Sequence, residues 1–131
     1  MPKYRRIIVR LYTLNLAILI THEIDSAFWK EWNLFGLPGG IQLFLIVNFL
    51  LIFLFLFGLE KVIRWTKNAR LFSYGLSLVG IFAFVIHTIF FMLDHEEFSL
   101  PVSLIILSGT LLVSLFQLFF TARINLIKVS T

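Results

Sequence analysis

Within ITHEIDSAFWKEW, Ile20 to Trp32, one histidine and three carboxylates follow directly on an apolar run. On a helix His22, Asp25, Ser26 and Trp29 share a face by i+3, i+4 and i+7 spacing, whereas Glu23 points about 100° away. Further along, His87, Asp94 and His95 are related by i+7 and i+8, again one face. Neutral imidazoles with carboxylates on facing helices suit zinc or iron. An open coordination position on such an ion lowers the pKa of bound water and generates a hydrolytic nucleophile. The residues therefore define a candidate metal site of His22, Asp25 and His87. Asp94 or His95 completes or supports the shell, and Glu23 or Glu97 is the candidate general base. The reaction expected is metal-dependent hydrolysis of a lipid or amphiphile entering from the outer leaflet.

Two other readings stand beside it. In the first, His22 and His87 hydrogen-bond to Asp25, Asn48 or Asp94 and hold together a non-enzymatic bundle that supports or regulates a partner. In the second, the two histidines are axial ligands of a haem held across a four-helix core. The motif itself is not H-E-x-x-H, since Asp25 stands at i+3 and Ser26 at i+4. No local Ser-His-Asp arrangement is visible, and the LPGG turn lacks a phosphate-loop pattern, which excludes nucleotide binding on these residues. With no cysteine, disulfides, thiolate metal sites and iron-sulfur clusters are excluded. A coupled transporter fits less well, because the inner half offers only Asn15 and Gln117 as sizeable polar side chains.

The elements that must carry these residues are membrane helices. The 131 residues are 60% hydrophobic and 14% charged, with a mean hydropathy of +0.97, outside the usual range for soluble domains. Apolar runs cover residues 7–28, 41–59, 71–93 and 102–122, each long enough to cross a hydrocarbon core that needs roughly 20 helical residues. Polar connections with turn residues separate them, so the expected fold is all-α: one domain, a four-transmembrane-helix antiparallel bundle. MPKYRR before the first run resembles the head of a secretory signal. Glu23 and Asp25 crowd the only candidate cleavage region, however, so the run is expected to remain as a span.

Charge predicts the orientation. Ten of the eleven basic residues (Lys3, Arg5, Arg6, Arg10, Lys61, Arg64, Lys67, Arg70, Arg123 and Lys128) fall at the termini or in the middle loop, and only Lys30 lies elsewhere. The positive-inside rule then makes both termini cytoplasmic. Six of the seven acids and all three histidines take the outer half. The net charge of +4 is thus topological and implies no nucleic-acid partner. The expected partners are membrane lipids, with a homo-oligomer or another membrane protein as further candidates. Trp29, Trp32 and Trp65 read as interface anchors. His22 and His87 each lie seven residues, about 10 Å, below the outer boundary. Asn48 and a polar stripe of Ser103, Thr110, Ser114, Gln117 and Thr121 offer polar groups from the other two helices.

The stretch THEIDSAFWKEWNLFGLPGG, together with a histidine in the third span and a short acidic outer loop, resembles a family of small bacterial four-span membrane proteins classed as a domain of unknown function. The resemblance rests most on H-E-I-D, W-K-E-W and L-F-G-L-P-G-G, His22 to Gly40, and extends over most of the chain. It implies a bacterial cytoplasmic-membrane setting and no particular activity.

Overall fold

The computed structural model describes the backbone of residues 3–129 and side chains as far as Ile124. Four long helices account for most of it: α1 (Lys3–Phe28), α3 (Gly40–Arg64), α4 (Ala69–Met92) and α5 (Pro101–Val129), with a single-turn helix α2 (Glu31–Leu34) between the first two. All four long helices are long and apolar enough to cross a membrane. They extend the expected spans at most ends, since the apolar runs mark the hydrocarbon-facing stretch and the helices continue into polar flanks. Lys128 lies outside the residues whose side chains are described.

Local chemistry sets the breaks. Trp65 takes a left-handed conformation (φ 54°) at the end of α3, and Thr66 N–H returns to the Lys61 carbonyl at 3.0 Å, closing the last turn as a Schellman-type end. Pro101 opens α5, where its missing N–H is one no helix bond needs. Gly39 and Gly40 both hold positive φ before α3 (81° and 57°), a conformation that costs glycine little.

The short connections make neighbours antiparallel. α1 packs against α5, α3 and α4, and α4 against α5 and α3, while α3 and α5 occupy opposite corners. Gly80 lets α4 approach α5 so closely that a Cβ there would collide with the Ser114 side chain. The core toward the basic end is apolar, with Ile8, Tyr12, Leu16, Phe55, Val62 and Leu76 buried. Large apolar side chains such as Phe49, Phe53 and Ile105 stand on the outside of the bundle, as lipid-facing positions require.

Midway along the bundle a polar network ties three helices. Asn15 Nδ2 donates to Ser114 Oγ and to Gln117 Oε1, both at 3.0 Å. Gln117 Nε2 donates to the Ser73 carbonyl at 2.9 Å, and the Ser73 and Thr121 hydroxyls share a hydrogen bond of 2.7 Å. The stripe on α5 therefore faces inward as its spacing predicts: Ser103, Thr110, Ser114, Gln117 and Thr121 are all buried.

Candidate metal centre

The site is built where α1 and α4 approach the acidic end of the bundle. His22 and His87 are both buried, and their rings meet edge to face with centroids 4.8 Å apart. Equal depth on facing helices is enough to bring them together. The third member comes from outside the spans. After α1 ends, Lys30 adopts a left-handed conformation (φ 52°) that turns the chain, and α2 packs back on α1 and α3. This carries Glu31 into the bundle end, where only 6% of it is exposed. One donor atom from each of His22, Glu31 and His87 lies within 4.8 Å of the other two.

The protonation pattern of His87 can be read from its partners. Its Nδ1 sits 2.7 Å from the Ala83 carbonyl oxygen, which can only accept, so Nδ1 carries the proton. Nε2 lies 3.1 Å from Glu31 Oε1, without hydrogen-bond alignment to it. In a neutral imidazole that nitrogen presents a lone pair toward a carboxylate. Such an approach is repulsive unless a proton or a metal cation lies in reach of both. Burial alone pushes the Glu31 carboxyl up, but His87, together with Ser26 and His22, outweighs it and holds the group below its ordinary value. His22 Nδ1 is likewise buried with no hydrogen-bond partner among the described residues.

Phe98 seals the cluster from the α4–α5 connection. It is buried, its ring centroid lies 4.4 Å from that of His87 and 5.8 Å from that of His22, and its backbone holds φ 67°, an uncommon conformation for a bulky residue. On the other side the cluster forms part of the wall of a cavity of about 330 Å³, lined also by Glu23, Trp32 and Asn48.

The expected site residues separate into two sets. His22 and His87 converge, and Glu23 shares their cavity. Asp25 remains one turn along α1, half-buried, with Oδ2 enclosed and unpartnered among the described residues, outside the three converging donors. Asp94 and His95 are not brought to the cluster, which corrects the shared face read for them with His87. α4 ends at Met92, and Asp94 has left the helix with φ 61°, so i+7 and i+8 no longer describe a common face. Both are exposed, and His95 Nδ1 instead lies 3.6 Å from Glu97 Oε2. Glu97 also borders a smaller cavity, about 190 Å³, that touches His87 and Phe98.

Glu31 is the member of the cluster that sequence periodicity misses. The available signal was W-K-E-W, an acid held between two tryptophans, a pattern that folds inward if the segment returns to the bundle. Trp32 does so, lining the cavity and packing on Phe44 at 5.3 Å between centroids. Trp29 has its indole nitrogen buried, so neither is a simple headgroup anchor.

Fold and site together define a small four-helix bundle of membrane-spanning length, with a His–His–Glu cluster enclosed at one end. The chain belongs to a family of unknown function (DUF6713), matched over residues 8–124. No curated protein and no solved structure matches it.

Proposed function

We propose that His22, Glu31 and His87 hold a zinc or iron ion and that the protein is a metal-dependent membrane hydrolase. The observation that carries this is the approach of His87 Nε2 to Glu31 Oε1 at 3.1 Å, with Nδ1 already committed to the Ala83 carbonyl and His22 completing a buried triad. Two imidazoles and one carboxylate leave a fourth position of a tetrahedral shell open for water. The Ala83 carbonyl fixes the tautomer and ring orientation of His87, as outer partners of metal-bound histidines do. Glu23, on the same cavity wall, would serve as the base for water activated by such an ion. The edge-to-face contact of the imidazoles favours a small ion over a porphyrin plane between them.

Metal analysis of protein purified without chelator is the test, with a stoichiometric transition metal expected. A folded, metal-free protein would instead support the structural reading, an imidazolium at His87 paired with Glu31.

The distribution of basic residues supports placing the cluster on the outer side of the membrane, with both termini cytoplasmic. A cysteine introduced at Ser99 is then expected to react with an impermeant reagent applied outside, and one at Asn68 to stay protected. The opposite labelling pattern refutes this orientation.

A further inference from the structure

The triad occupies only one end of its cavity. Elsewhere the wall is apolar, with Leu51 of α3 and Val79 and Ile86 of α4 among its residues. Val47 and Phe82 also line it, yet they are 48% and 62% exposed on the outer surfaces of α3 and α4. The cavity therefore reaches the hydrocarbon-facing surface between these two helices. A volume of about 330 Å³ is at the small end of ligand pockets, which run from about 300 to 1,000 Å³. It suits one hydrocarbon chain and is too small for two.

The polar end specifies the head of such a molecule. Asn48 is 9% exposed, and its Nδ2 is used by the Phe44 carbonyl at 3.0 Å. Its Oδ1 is buried with no donor among the described residues. A buried acceptor left unpaired is costly, so an occupant that brings an N–H or O–H is favoured over one that brings only acceptors.

We infer that the ligand of this site is a single-chain lipid whose head group carries a hydrogen-bond donor, its tail lying between α3 and α4 and its head donating to Asn48 Oδ1 beside the triad. The chain-binding part stands on the cavity and on Asn48 alone. Hydrolysis of the head rests on the metal reading above.

The experiment uses the full chain in lipid nanodiscs and an N-acylethanolamine whose diazirine sits mid-chain, about 12 Å from the head, the distance from His87 to Val79 along α4. Crosslinks are expected on the interior residues Leu51 and Val79. The methyl ester of the same chain, which lacks a donor, is expected to label about tenfold less, the equivalent of one hydrogen bond of about 1.4 kcal/mol. Asn48→Leu is expected to abolish that preference. Val79→Trp is expected to remove interior labelling by filling the cavity, and Val47→Trp at the rim does the same should the deeper variant misfold. Labelling confined to lipid-facing residues such as Phe49 and Phe53, and unchanged by either tryptophan, overturns the inference. So does equal labelling by amide and ester. Metal content measured on the same samples separates the two readings: interior labelling without metal keeps the lipid and loses the hydrolase, and metal without interior labelling does the reverse.

Discussion

The bundle holds two buried polar regions, and they differ in how completely they satisfy themselves. In the middle, Asn15, Ser73, Ser114, Gln117 and Thr121 exchange hydrogen bonds of 2.7 to 3.0 Å across α1, α4 and α5. Toward the acidic end, His22 Nδ1, His87 Nε2 and Asn48 Oδ1 are buried without hydrogen-bond partners among the described residues, although Glu31 stands beside the imidazoles. Burying a polar group unpaired costs about 1–3 kcal/mol, and the penalty grows in hydrocarbon, where no water competes. The central network has the chemistry of a fastener, complete as folded. The triad, with donor atoms left over, has the chemistry of a receptacle on the metal reading proposed above.

Substitutions in each region are expected to break this contrast in different ways. The largest effect is expected at the triad: His22→Ala or His87→Ala abolishes metal retention, as read by metal analysis, because each removes one of only three donors. Either variant retaining a full complement of metal removes the case for the site.

A smaller and qualitatively different loss is expected in the central network. Gln117→Leu removes one of the two bonds that Asn15 Nδ2 donates and the amide bond to the Ser73 carbonyl, lowering stability by about 1–3 kcal/mol in detergent unfolding while metal content stays at the parent level. Joint replacement of His22, Glu31 and His87 by Leu should be nearly neutral for the metal-free protein, since no member of the cluster is then left buried without the partner it faces. Denaturation of the two variants side by side tests whether fastener and receptacle are separable.

The smallest effects belong to the acidic loop. Asp94→Asn and His95→Ala are each expected to leave metal retention unchanged and to alter stability by no more than about 0.5 kcal/mol. Loss of metal in either would return these residues to the site and restore the helical face that the end of α4 interrupts.

The fold was legible because span length and apolarity are properties of contiguous residues. Any helix carrying the run from Ile41 to Leu59 must be long and lipid-compatible, whatever it packs against. Two of the three triad members were legible for a related reason: His22 and His87 sit on regular helices, where counting residues gives depth and face. The rest depended on where regularity stops. Asp94 follows a helix end that the apolar pattern does not mark, because Phe91, Met92 and Leu93 remain apolar up to and beyond it. Glu31 is nine positions from His22 but is delivered by a reversal at Lys30, a residue with no particular preference for positive φ. Tertiary packing of α2 settles that reversal, and no local pattern encodes it.

The position of Glu31 on a single-turn helix outside the four spans bears on how the molecule comes together. Membrane helices can form and insert one by one before they associate, so His22 and His87 are in place as soon as α1 and α4 meet. The carboxylate arrives only when residues 29–39 have folded back onto the bundle. An ion gripped by all three would thus latch a late step of assembly, turning capture of the metal into a checkpoint that an incompletely folded chain cannot pass.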